Sequence, residues 1–144
     1  MDFDKATQTR ILRVAADRQD GKPVEEMDEQ IAYVMDLHPE FEEAWKMGEL
    51  AAYPQEIDGQ IVNPFVHTVL HVIVDKQLRN EDPEVTTETF KRLTGEGVEE
   101  HECLHAIIAQ YADVHFDNFR KGKPFDHLDY HSRLAQLSFR ENEG

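Results

Sequence analysis

The stretch that decides the fold is Asn63-Pro64-Phe65-Val66-His67-Thr68-Val69-Leu70-His71-Val72-Ile73-Val74-Asp75-Lys76-Gln77-Leu78-Arg79. Asn-Pro is a helix start. The Asn side chain caps first-turn N–H groups, and proline at the first helical position needs no donor. Apolar residues then recur at helical spacing, which predicts a helix from a cap at Asn63 to about Arg79. On its wheel His67 and His71 share a face with Val74 and Leu78, and Asp75 borders that stripe one turn past His71. Thr68, Lys76 and Arg79 fall on more polar sectors.

Outward from this helix the period stays helical. Residues 4–19 form a first helix with Ala6, Ile11, Val14 and Ala15 on one stripe, stopping near Asp20-Gly21. A second runs from 24 or 25 to 37, with Val24, Met27, Ile31, Val34 and Met35 as its buried stripe. Pro39 ends it, because the residue before a proline is pushed out of the helical region. A short third helix carries Phe41, Ala44 and Trp45 and ends near Gly48. Residues 53–62 read as a loop, with Asp58-Gly59 as a weak signal for a small hairpin. Asp82-Pro83 opens a fifth helix ending near Gly95, a sixth spans about 98–120 before Gly122, and Pro124 starts a seventh that ends around Phe139. No repeat or long linker divides the chain. The expectation is a single all-α domain over residues 1–144, a helical bundle or irregular array of about six to seven helices.

Composition bounds the function. The 144 residues are 40% hydrophobic, too apolar for a disordered chain, and a chain of this length buries roughly two-thirds of its unfolded surface. Thirty acidic against fifteen basic side chains give a net charge of −15. That balance disfavours nucleic acid and anionic membranes, since the only modest basic cluster is Arg120, Lys121 and Lys123. The longest near-apolar run, residues 61–74, is too short to span a bilayer and is broken by Asn63, Pro64, His67 and His71. Met-Asp-Phe-Asp-Lys is no secretory signal, so a cytoplasmic protein is expected. One cysteine, Cys103, excludes an internal disulfide framework and Cys-rich zinc sites. Its wheel position is near the polar edge of the sixth helix, and it has no evident catalytic partner. Phosphate loops and the nucleophile elbow are absent, and no residue is singled out as catalytic.

Histidine placement stands out. Eight histidines would by chance give about 0.4 pairs four residues apart, yet there are three: His67/His71, His101/His105 and His127/His131. Residues four apart lie on one helical face with Cβ atoms roughly 5–6 Å apart, close enough to share an ion at about 2.0–2.1 Å per bond. His101 and His105 share a face with Ile108, Ala112 and Phe119, opposite a wet side of Glu99, Glu102, Gln110, Asp113 and Asp117. His127 and His131 fall between Leu134 and Ala135, so all three pairs are expected to face inward, as does His115. Buried imidazoles need partners, since an unsatisfied buried polar group costs about 1–3 kcal/mol. A metal shared between facing helices supplies them, and so does a structural network of carboxylates, carbonyls, Tyr111 or Tyr130. The metal reading uses His67, His71, Asp75, His101 and His105. For His127/His131 a structural or surface role is favoured. His38, before Pro39, is read as serving a helix junction, and His115 as a satisfied core residue.

Asn63-Pro64-Phe65-Val66-His67, with His71, Asp75 and Gln77-Leu78, resembles a bacterial family, Domain of Unknown Function 1841, marked by N-P-F-x-H-x-x-x-H, an acidic residue one turn on, and Q-L. Its E-H-x-x-x-H is matched by Glu100, His101 and His105, and its H-P-E-aromatic by His38, Pro39, Glu40 and Phe41. The resemblance spans about residues 25–115. Asp75 stands where the family tends to carry Glu, which keeps the carboxylate, and His127/His131 match nothing in the pattern. The resemblance implies no activity.

Three functional readings follow. In the first, one transition-metal ion, zinc or iron among the candidates, is held by His67, His71, His101 and His105, with Asp75 as a fifth ligand or as a partner that fixes an imidazole tautomer. In the second, the chain is an acidic module that docks a basic protein partner, and its histidines are structural. A histidine pH sensor is the third reading.

Overall fold

The computed structural model describes residue 1 and residues 3–139. Its elements are α1 (Lys5–Gln19), a 3₁₀ turn (Glu26–Asp28), α2 (Glu29–Asp36), a second 3₁₀ turn (Pro39–Phe41), α3 (Glu42–Trp45) and a third 3₁₀ turn (Gly48–Ala52). Strands β1 (Gln55–Ile57) and β2 (Gln60–Val62) follow, then α4 (Pro64–Asn80), α5 (Glu84–Gly95), α6 (Glu100–Arg120) and α7 (His127–Gln136). This is an all-α irregular helical array with one small two-stranded sheet. The chain divides into two compact units, Met1–Val72 and Ile73–Gly144, and α4 runs through the boundary.

In the first unit the Asp4 carboxylate caps α1, accepting from Thr7 N–H at 2.8 Å. Ile11, Val14 and Ala15 are buried against α2, whose Ile31, Val34 and Met35 are also buried. Ala6 is exposed, and so is Met27, at 80%. Both fall outside the expected stripe. Met27 leaves it because residues 26–28 form a 3₁₀ turn, so the helical register begins only at Glu29. Asp28 takes the inward place instead, accepting from Arg10 Nε at 2.6 Å and Arg13 Nη2 at 3.2 Å. Arg18 ion-pairs with Asp36 and with Glu42, which ties α1 to the end of α2 and the start of α3.

Burial raises the Asp28 carboxyl, but hydrogen bonds and charge from Arg10 and Arg13 outweigh it and hold it below the ordinary value. A folded value below the unfolded one adds stability that is fully present above the unfolded pKa of about 3.9. That stability is lost as pH falls through the folded value. Asp28→Asn is therefore expected to cost about 1.5–3 kcal/mol at pH 7, the range for a hydrogen bond to a charged group. The gap to wild type should narrow below pH 4, as read from urea midpoints. A gap independent of pH would contradict the ion-pair account.

Residues 53–62 do contain the hairpin. Ile57 pairs with Gln60 and Gln55 with Val62, leaving Asp58 and Gly59 as a two-residue turn with φ of 53° and 81°. Two consecutive positive φ values define the turn type that Asp-Gly favours and that matches strand twist.

In the second unit α5, α6 and α7 pack together. The Tyr130 hydroxyl donates to Gln77 Oε1 at 2.7 Å and the Thr86 hydroxyl to the same oxygen at 2.9 Å. Burial pushes the Tyr130 phenol up to about 12. The Thr89 hydroxyl and Arg92 Nη2 both donate to the Leu134 carbonyl, at 3.3 and 3.1 Å.

Three expectations are corrected here. Cys103 is fully buried rather than at the polar edge, its thiol directed at the Phe90 carbonyl of α5, and burial pushes it up to about 11. Phe119 is 73% exposed rather than on the buried face, since it lies in the last turn of α6. The seventh helix starts at His127 and not at Pro124, because the Asp126 carboxylate accepts from Asp129 N–H at 3.0 Å and so caps the helix there. Phe125, just before it, is stacked on Tyr111 at 4.7 Å and packs edge-on to Tyr130. The last turn ends at Gln136, three residues short of Phe139.

Candidate metal centre

The centre forms in the first unit, where the end of α2 meets the start of α4. Pro39 forces His38 out of the helix, at φ −126° and ψ 65°. Its ring folds back and its Nδ1 bonds the Val34 carbonyl at 2.8 Å. A carbonyl only accepts, so Nδ1 carries the proton and Nε2 presents a lone pair. The side chain thereby serves one of the last carbonyls of α2, the junction role expected from sequence.

Asn63 fixes the other wall. Its Oδ1 accepts from Val66 N–H at 3.1 Å, and its Nδ2 donates to the Ala52 carbonyl at 2.8 Å. The cap thus anchors the start of α4 to the segment before the hairpin. From there His67 and His71 follow one turn apart. His71 is fully buried, His38 is 3% exposed, and His67 is half-buried. Thr68 is buried as well, against the expectation of a polar sector, because its hydroxyl donates to the Pro64 carbonyl at 2.8 Å. A satisfied hydroxyl can face inward without an unmade bond.

One nitrogen from each of His38, His67 and His71 lies within 4.8 Å of the others. His67 Nε2 lies 3.1 Å from His38 Nε2. The His38 ring centroid is 4.6 Å from that of His67 and 5.3 Å from that of His71, both near edge-on. Phe41 stacks on His38 at 5.3 Å with an interplanar angle of 11° and meets the His67 ring edge-on at 5.5 Å. The Phe41 ring, in the second 3₁₀ turn, therefore packs against two of the three imidazoles.

Two imidazole nitrogens 3.1 Å apart must have a proton or a cation between them, since facing lone pairs repel. With the His38 proton committed to Val34, the bridging proton would come from His67. A metal ion would replace it directly. At about 2.0–2.1 Å per bond, nitrogens at that separation subtend roughly 95–102°, close to the tetrahedral value of about 109°. The His38 arrangement also has the form usual for a ligating histidine, whose second nitrogen donates to a carbonyl and so fixes the ring.

Sequence reasoning placed His67 and His71 correctly on one helix face and missed His38 as their companion. The signal was there in His38-Pro39-Glu40-Phe41, but it was read for its backbone role alone. Asp75, one turn beyond His71 on α4, is half-buried and belongs to the second unit with His101 and His105. The latter two rings lie 4.0 Å apart between centroids, tilted by 56°, so the expected pairing on one face of α6 holds. The backbone N–H groups of His101 and Glu102 hold the Glu99 carboxyl, which caps α6, below its ordinary value. His115 is half-buried in a ring stack with Tyr111 and Phe119. His127 and His131 are exposed, not inward.

The sequence model of the family described as Domain of unknown function (DUF1841) matches residues 5–136. The chain belongs to this family. The match takes in His38, both histidines of α4, the pair on α6 and the pair on α7. No curated protein matches the chain, and no solved structure does. No helix among the described residues is long and apolar enough to cross a membrane.

Proposed function

We propose that this chain binds one transition-metal ion through His38, His67 and His71. The observation that carries the reading is the 3.1 Å approach of His67 Nε2 to His38 Nε2, with the other nitrogen of His38 committed to the Val34 carbonyl. Three neutral imidazoles with no carboxylate suit zinc or a later first-row ion, and iron(II) among the earlier ones; they do not suit magnesium or calcium, which take oxygen ligands.

On the spacing of the sequence alone, His101 and His105 stay candidates for metal ligands. Asp75 remains the candidate for a carboxylate that orients an imidazole. Four closed nitrogen ligands would make the ion structural, whereas a water in the fourth position would permit hydrolytic or redox chemistry.

Elemental analysis of untagged protein purified without chelator tests the proposal. Near one transition-metal ion per chain is expected. A folded, metal-free protein that takes up none on titration would contradict it.

A further inference from the structure

The pair on α7 has no core function. His127 and His131 are both exposed, while the buried line of the same helix is Tyr130 and Leu134. The next residue on the His127/His131 line, Ala135, is exposed too and carries only a methyl group. Nothing on that line overhangs the two imidazoles. His127 packs edge-on to Phe125 at 4.9 Å between ring centroids, which restricts its ring. Asp126 caps the helix and Asp129 accepts from Arg133 Nε at 3.2 Å, so both carboxylates have other bonds to make.

We infer that His127 and His131 form a second transition-metal site, an exchangeable one that takes a late divalent ion such as Cu²⁺ through two imidazole nitrogens, with water in the remaining positions. The spacing carries this. Residues four apart on a helix hold their Cβ atoms roughly 5–6 Å apart, which lets two imidazoles converge on one ion without moving the backbone. Exposure carries the rest: an ion reaches the pair without opening the core and leaves as readily. A net charge of −15 raises the local concentration of cations around the chain. Copper(II) binds nitrogen sites most tightly of the divalent first-row ions, so it is the most sensitive probe. The site is independent of the His38 centre and stands whether or not that centre binds metal.

The test is a Cu²⁺ titration of the intact protein as purified, followed by electron paramagnetic resonance, for wild type, His127→Gln/His131→Gln and His38→Ala. Wild type is expected to bind an exchangeable Cu²⁺ whose spectrum shows nitrogen coupling. Outer partners of metal ligands alone change affinity by about 10–100-fold, so loss of both ligands should weaken this binding by at least about tenfold. The α7 double variant should keep whatever tightly held ion wild type carries, and His38→Ala should keep the exchangeable site. A double variant that binds Cu²⁺ as wild type does would overturn the inference, as would a wild type with no exchangeable site. Loss of the tightly held ion in His38→Ala alone bears only on the other centre.

Discussion

Replacing His38 with alanine is expected to lower the metal content of purified protein from near one ion per chain to background. The side chain is 3% exposed, its Nε2 lies 3.1 Å from His67 Nε2, and its Nδ1–H is held by Val34. Removing it deletes one of the proposed ligands. Disturbing only an outer partner of a ligand weakens metal binding by about 10–100-fold, so removing the ligand itself should cost at least about 100-fold. His71→Ala should do the same from the α4 side. Circular dichroism shows whether each variant stays helical, and retained stoichiometric metal in a folded His38→Ala protein would sink the assignment. The substitution also removes a bond to the end of α2, but Val34's carbonyl still accepts from Leu37 N–H at 3.2 Å, so the helix end is not left bare.

Leu134→Ala is expected to destabilise the protein by about 2–5 kcal/mol, the range for large-to-small changes in a packed core. Leu134 is fully buried where α7 meets α5. Its carbonyl keeps the bonds from Thr89 and Arg92, because both go to the backbone. The cost is therefore a cavity and lost apolar burial, not a broken network. Leu128 on the same helix is 84% exposed, so Leu128→Ala should stay within about 0.5 kcal/mol. Urea unfolding of the two variants compares them directly. Equal effects would mean that α7 is rotated from the face described.

Both predictions show what was legible. Helix existence followed from periodicity and prolines: Asn63-Pro64 at α4 and Pro39 after α2 act as their chemistry dictates. Facing was less legible wherever local geometry departs from an ideal wheel. Met27 is exposed because a 3₁₀ turn precedes α2, and Thr68 is buried because it bonds the backbone one turn back. At α7 the wheel placed His127 and His131 between Leu134 and Ala135, one buried and one exposed residue. A difference of one wheel sector turned an inward pair into an outward one.

The centre was half legible for a related reason. Spacing within one helix is written in the sequence, so His67 and His71 were found together. His38 lies 29 residues from His67, and only tertiary packing brings such residues into contact. Its position before a proline explained it fully as a helix terminator, and the second role of the same side chain left no periodic trace.

X-ray absorption at the edge of the bound metal tests the central claim most directly. The account predicts a first shell of nitrogen at about 2.0–2.1 Å for zinc, with the outer-shell scattering of several imidazole rings, and loss of that signal in His38→Ala. A first shell of oxygen without imidazole scattering, or of sulfur at about 2.3 Å, would contradict it.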